Sequence, residues 1–353
     1  MEEANHTNVR FNRKLVLWLL TGCFMVFGMV IVGGITRLTG SGLSITEWDV
    51  VTGTIPPLSD QQWEQEFDKY KQIPQYTRLN SHFGLEEFKF IYFWEYIHRL
   101  FGRLIGLVFL IGFIYFLRRK EIAPELMPRL LFMFALGGFQ GFLGWYMVSS
   151  GLTENVRVSH FRLAIHLTFA FITFGYVFKT ALGLIFPAQH PRASDLRPMR
   201  GDTTAILFLL VLQIIYGAFT AGTKAGWVYN TWPLMGDSFI AESVPFAFEK
   251  SGLASLVNNI ASIQFIHRIL AYVLYVWILI FGIRILRSGN CDAGQRSASI
   301  LLLLGIHAQV ILGILTLINQ VPMWMGVMHQ ALAFLLFALV IFMAHRLQYD
   351  KIS

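Results

Sequence analysis

Glu95-Tyr96-Ile97-His98-Arg99 and Gln264-Phe265-Ile266-His267-Arg268 are two versions of one helical phrase, 169 positions apart. Each is followed by another histidine in a later apolar run, His166 after the first and His329 after the second. Ionisable groups inside apolar helices are costly, and they mark function by default. Two copies of a two-histidine site therefore imply two buried cofactors. The Glu/Gln difference between the copies marks one of them as the reactive one.

The surrounding chain decides the solvent. Hydrophobic residues make up 55% of the 353 positions and charged residues 14%, and the mean hydropathy is +0.55. An ordinary soluble domain does not have this composition. A helix needs roughly 20 apolar residues to cross a bilayer. Eight stretches qualify, near 15–35, 90–117, 129–148, 158–186, 203–222, 260–286, 297–318 and 323–345.

The formal charge of +7 does not point to nucleic acid. The basic residues gather in short connectors, as in Arg118, Arg119, Lys120 and Arg129, and again in Arg284, Arg287 and Arg296. All of these fall on one face of an eight-span layout, which the positive-inside rule makes cytoplasmic together with both termini. Glu2 and Glu3 lie in the short N-terminal segment, whereas organelle transit peptides are acid-poor and Arg-rich. A bacterial inner membrane is the expected location. Cys23 and Cys291 sit too far apart in depth to predict a disulfide.

Internal offsets extend the duplication. An offset of 169 maps His98 to His267, Gln140 to Gln309 and Gly144 to Gly313. One of 184 maps Gly33 to Gly217 and Trp48 to Trp232, and one of 163 maps His166 to His329. Four spans are thus repeated in the same orientation, as in parallel repeats about an axis along the membrane normal. The expected fold is an all-α membrane protein of eight transmembrane helices, arranged as two pseudo-twofold-related four-helix bundles. Residues 1–186 form the N-terminal half, 187–202 a cytoplasmic linker and 203–353 the C-terminal half. The long connector at 37–88, with Trp48, Trp63, Tyr70 and Tyr76, is predicted to cap the first half.

With those span limits, His98 and His166 each lie eight residues below a span start, about 10 Å deep. The second pair is similarly placed. Two imidazoles at one depth on co-directional helices suit axial ligation of a porphyrin iron from its two faces. Gly102 and Gly106 follow His98 at i+4 and i+8, and Ala271 follows His267 at i+4. Such small residues let a flat macrocycle lie against the helix. Gly137, Gly138, Gly141 and Gly144 are read as close helix packing. His307 is read as a satisfied polar residue, His6, His190 and His345 at cytoplasmic ends need no site, and His82 and His160 near the outer surface are read as structural in preference to an assisting role.

Glu95 precedes His98 on the same helical face. Its simplest partner is Arg99, but Arg268 survives in the second half where the carboxylate has become Gln264. Glu95 is therefore taken as catalytic. Arg99 and Arg268, with Arg37 and Arg162, are candidates to contact porphyrin propionates.

Gly33-Gly34-Ile35-Thr36-Arg37-Leu38-Thr39-Gly40-Ser41-Gly42-Leu43-Ser44, the phrase ending in His98-Arg99, and Arg162-Leu163-Ala164-Ile165-His166-Leu167 together resemble the heme A synthase family over nearly the whole chain. The resemblance implies an eight-helix oxidoreductase that converts the C8 methyl of heme O to the formyl group of heme A for terminal oxidases. It implies a heme b cofactor on His267 and His329 and substrate heme O on His98 and His166, with Glu95 in the reaction. It also implies an electron donor and acceptor, and a heme O-producing enzyme and oxidase assembly factors as partners. The lipid bilayer surrounds the chain, and a homo-oligomer is compatible with this picture. Part of the family carries a cysteine pair in the first outer connector. No cysteine lies between Cys23 and Cys291, so this chain resembles the cysteine-lacking branch.

The rival functions are a diheme b-type cytochrome that only shuttles electrons and a transporter built on the same repeats. The Glu95/Gln264 asymmetry favours the enzyme.

Overall fold

The computed structural model describes residues 12–48, 52–152, 156–187, 197–289 and 291–348. His6 and His190, and most of the expected linker at 187–202, lie outside these residues. Among the described residues, eight long apolar helices are able to cross a membrane. They are α1 (Arg13–Leu38), α3 (Leu85–Arg118), α4 (Met127–Leu152), α5 (His160–Ile185), α6 (Arg197–Gly222), α9 (Ile260–Arg287), α10 (Ala293–Ile318) and α11 (Met323–Gln348). Three short helices sit in the connectors: α2 (Asp60–Lys71), α7 (Ser243–Ser251) and α8 (Ser255–Asn258). The protein is a multi-pass membrane protein, as its composition requires.

Local chemistry sets the helix ends. Asn12 Oδ1 accepts the Lys14 and Leu15 backbone N–H groups at 3.0 and 3.2 Å, opening α1. At its other end Gly40 takes φ +71°, and Ser41 N–H donates to Thr36 O at 2.9 Å. This is the left-handed turn that glycine allows at a helix terminus. Asp292 and Gln295 cap α10 reciprocally: Gln295 N–H donates to Asp292 Oδ1 at 2.9 Å and Asp292 N–H to Gln295 Oε1 at 3.0 Å. Asp292 also receives Arg346 at 2.7 Å, tying α10 to the end of α11.

Two boundaries differ from the sequence expectation. Helix α3 begins five residues before 90, because Phe88, Ile91 and Tyr92 are covered by the connector cluster rather than by lipid. Helix α6 begins at Arg197, inside the expected linker, where Arg200 Nε donates to Leu347 O at 2.7 Å.

Corresponding helices make corresponding contacts: α1 with α3 and α4 with α5, α6 with α9 and α10 with α11. The halves meet through α1, α5, α6 and α11. One large core runs through α6, α9, α10 and α11 and takes in Val30 of α1 and Phe171 and Phe174 of α5. At its centre Phe334 lies 5.3 Å from Phe27, 5.0 Å from Phe171 and 4.3 Å from Phe174, ring to ring. Helices α3 and α4 contribute nothing to that core. They close with α1 and α5 through apolar side chains at the end that carries residues 118–126, around Leu15, Leu19, Phe116, Leu130 and Met133, and through contacts nearer the other end such as Thr36 Oγ1 donating to Trp94 O at 3.2 Å. There Gly112 makes room for Trp18, whose indole N–H donates to Val108 O at 3.2 Å.

At the opposite end the 39–84 connector folds onto the first turns of α3. Phe67, Tyr70 and Tyr76 pack with Phe88, and Trp63 meets Tyr92 edge-on at 5.0 Å. Phe334→Ala should destabilise the protein by about 3–5 kcal/mol, the usual cost of emptying an aromatic core site. Thermal unfolding in detergent measures it, with Phe334→Leu expected to fall well short of that loss.

Candidate heme-binding cavity

Four histidines are seated in the same way. Each packs its Cε1 edge against a glycine of the helix that precedes it in the chain. A Cβ added at Gly33, Gly144, Gly217 or Gly313 would lie 3.0, 3.4, 3.3 or 2.8 Å from Cε1 of His98, His166, His267 or His329. The seats at Gly33 and Gly313 are tight enough that a larger side chain must displace the ring. The expectation that Gly144 serves only helix packing is thus corrected, since it holds His166.

Glutamine side chains brace three of these histidines from one turn before the glycine. Gln140 Nε2 donates to His166 O at 3.0 Å, Gln213 Nε2 to His267 O at 3.2 Å and Gln309 Nε2 to His329 O at 3.1 Å. In each case the same amide nitrogen is 3.2–3.4 Å from a ring nitrogen.

His98 and His166 stand within electrostatic reach of each other, as do His267 and His329. All four, with Glu95, Arg99 and Arg268, line one continuous cavity of about 1390 Å³. This exceeds the roughly 300–1,000 Å³ of a single small-molecule pocket. Among the described residues no three His, Cys, Asp or Glu side chains cluster as metal ligands. Each pair therefore suits a metal that brings its remaining ligands with it, as porphyrin iron does. His98 Nδ1 and His329 Nδ1 are buried without a hydrogen-bond partner. The pairs, the glycine seats and the cavity volume fit heme in both halves.

Glu95 is only 3% exposed and fully engaged. Its Oε2 accepts the Ser44 hydroxyl at 2.7 Å and the Ile45 N–H at 2.9 Å. Its Oε1 accepts Arg99 Nη2 at 2.7 Å and Nε at 3.1 Å. The salt bridge to Arg99, weighed in the sequence as the alternative to a catalytic role for Glu95, is thus present. Gln264 does the same work in the second half, with Oε1 accepting Arg268 Nη2 at 3.1 Å and Nε2 donating to Ala225 O at 2.7 Å. A neutral amide suffices there because it supplies both an acceptor for the guanidinium and a donor for the loop.

The arginines are committed as well. Arg99 donates to Glu47 O at 2.7 Å and Ile45 O at 2.8 Å, and Arg268 to Leu234 O at 3.1 Å and Tyr229 O at 3.0 Å. Arg162 lies off the cavity, donating to Tyr146 O at 2.7 Å. Arg37 does line the cavity, joined by Arg157 and Lys224, which composition and spacing did not single out. Burial, then the charges of Arg157 and Arg37, lowers the Lys224 ammonium below its usual range. This basic group lies close to both halves and suits carboxylates. Of the histidines set aside as non-functional, His160 Nε2 lies 3.0 Å from Val257 O and His345 Nε2 3.1 Å from Phe186 O, while His82 is exposed at the surface.

The halves differ at one seam. Helices α9 and α10 pack closely, with Tyr275 meeting His307 edge-on at 5.2 Å and His307 Nδ1 held 2.7 Å from Leu303 O. The aligned positions on α3 and α4 are Gly106 and Gly138, which have no side chain packed on them, and these two helices approach sparingly, with Phe134 meeting Phe109 at 4.6 Å and Phe113 at 5.1 Å further along.

Glu95→Ala should cost about 3–5 kcal/mol by stranding the Arg99 charge in a buried setting, whereas Glu95→Gln, copying Gln264, should retain most of the stability. Thermal melts of the two purified variants provide the comparison. Gly313→Leu should dislodge His329 and lower bound pigment, read from the visible absorption per protein.

Comparison with known proteins places the chain in a family. A family model described as cytochrome oxidase assembly protein (COX15-CtaA) matches residues 16–341. The heme A synthase of Flavobacterium psychrophilum is 46% identical over 338 residues, covering 95% of this chain and 98% of that protein. That of Flavobacterium johnsoniae is 45% identical over 339 residues, with 95% and 98% covered. The heme A synthase of Rhodospirillum centenum is 47% identical over 338 residues, with 95% and 89% covered. With its eight apolar helices and twin histidine pairs, the chain belongs to the heme A synthase family of cytochrome oxidase assembly proteins.

Proposed function

We propose that this chain oxidises the C8 methyl of heme O to the formyl group of heme A by successive hydroxylations, with a resident heme b in its C-terminal half. The observation that carries the reading is a single cavity reached by two histidine pairs that differ at Glu95 and Gln264. In this reading His98 and His166 would hold the substrate heme, and His267 and His329 would hold heme b. The α3–α4 seam supports this assignment, because a substrate must come and go while a cofactor stays. The packed seam at Tyr275 and His307 belongs to the half that has no need of exchange.

Bound there, heme b supplies one-electron chemistry, and the protein contributes ligation, orientation and charge. Glu95 is a fixed negative charge at the substrate half's cavity wall, locked by Arg99, Ser44 and Ile45. Such a preorganised group stabilises developing positive charge without reorganising. Arg37, Arg157 and Lys224 supply positive charge for the propionates. The connector residues Trp48, Leu79 and Phe83 line the cavity and limit water entry. By the positive-inside rule, the ends carrying Arg118, Arg119, Lys120, Arg284 and Arg287 are cytoplasmic, both termini with them. The histidine sites then lie toward the periplasm of a bacterial inner membrane.

Cells producing the chain together with heme O should yield heme A on pigment extraction and chromatography, and cells lacking it should accumulate heme O. In the same assay Glu95→Gln should keep bound heme yet abolish heme A. A normal heme A yield from that variant removes Glu95 from the reaction. His267→Ala should deplete the heme b signal of the purified protein, and an unchanged spectrum refutes the ligand assignment.

A further inference from the structure

Three of the four histidine seats share a sequence device, a Gln-x-x-x-Gly turn on the preceding membrane-spanning helix. It occurs as Gln140 to Gly144, Gln213 to Gly217 and Gln309 to Gly313. The fourth turn runs from Met29 to Gly33. Gly33 still seats His98, at 3.0 Å from a built Cβ to Cε1, but no amide accompanies it. Met29 lines the cavity and directs its terminal methyl at Gly102, one turn along α3 from His98. His98 Nδ1 is buried without a partner, as is His329 Nδ1, but Gln309 Nε2 lies 3.4 Å from the other nitrogen of the His329 ring.

The amide matters through geometry. A glutamine that donates to the histidine's own carbonyl and rests against its ring ties ring to backbone, restricting both torsions that would swing the imidazole away. A polar partner of this kind orients a metal-ligating histidine. A thioether makes no comparable hydrogen bond, and its flexible chain yields to a moving neighbour. His98 thus has a floor but no brace, in the half whose α3–α4 seam is open.

We propose that Met29 is a positioning residue that makes His98 the one releasable axial ligand, so that the N-terminal half grips its tetrapyrrole by one fixed imidazole and one free to swing, and the C-terminal half by two fixed ones. The proposal rests on the assignment of the histidine pairs to heme iron. It explains how nearly identical sites in one chain hold a passing heme and a permanent one. Release from the first site begins with His98 turning off the iron, while His166, braced by Gln140, keeps the ring oriented.

The test is heme transfer from purified, heme-loaded protein to excess apomyoglobin, followed by absorption, with low-temperature electron paramagnetic resonance reporting the axial ligands. Met29→Gln should slow transfer from the N-terminal site roughly five- to tenfold, the effect of one hydrogen bond. The reciprocal Gln213→Met should speed transfer from the C-terminal site by a similar factor. Met29→Leu should match the unaltered protein in rate and resonance spectrum. An unchanged rate in Met29→Gln, together with an unchanged rate in Gln213→Met, overturns the proposal. A ligand-field change in Met29→Leu also overturns it, by showing that the thioether itself binds the iron. His98→Ala separates the two levels of failure. If it leaves the N-terminal heme signal intact, His98 is no ligand and the underlying assignment falls. If it removes that signal while the Met29 variants do nothing, only the brace is refuted.

Discussion

An imidazole pressed against a glycine of the neighbouring helix is the constraint on which this molecule is arranged. A histidine in an apolar helix needs a partner, and a ligand approached from its free edge needs the ring held still. Glycine lets the two backbones come close enough for the ring to rest on main chain. The approach then fixes which helices are neighbours: α1 with α3, α4 with α5, α6 with α9 and α10 with α11. Four uses of one contact build two sites, and the cavity between them is what remains once the glycines have set the helix spacing.

The loop-bearing end follows a second rule. A guanidinium buried beside the cavity must have its donors met. In both halves it meets carbonyls of the connector that follows the first helix, and a carboxylate or amide one turn back on its own helix, with Arg268 Nε alone of these donors left without a partner. The strap is therefore common to both halves, and the charge is not. Glu95 and Gln264 share the contact to the arginine but differ toward the loop, where Glu95 accepts from Ser44 and Ile45 N–H and Gln264 donates to Ala225 O. The carboxylate therefore differs from the amide both in charge and in the loop groups it receives.

Much of this was legible in the sequence. Eight apolar runs gave eight helices, and the offsets of 169, 184 and 163 already paired the glycines and histidines that the fold brings together. Gln140 and Gln309 were visible in the same alignment, yet nothing in a one-dimensional pattern said that their amides reach across to His166 and His329. Gln213 and Met29 required the second offset to be carried one turn further back. The pairing of Glu95 with Arg99 was misjudged because loss of the acid was equated with loss of the interaction, whereas a glutamine can accept from arginine just as well in geometry. Arg157 and Lys224 were hidden for another reason, as connector residues brought to the cavity only by tertiary folding. The early start of α3 reflects the aromatic connector, which prolongs a helix beyond its lipid-facing stretch.

The uneven core has an architectural consequence. The sequence divides four and four, but the packing divides six and two: α1, α5, α6, α9, α10 and α11 share one hydrophobic frame, and α3 and α4 stand outside it. Each of the two rests on one helix of the frame, α3 on α1 and α4 on α5, as a side panel to the common interior.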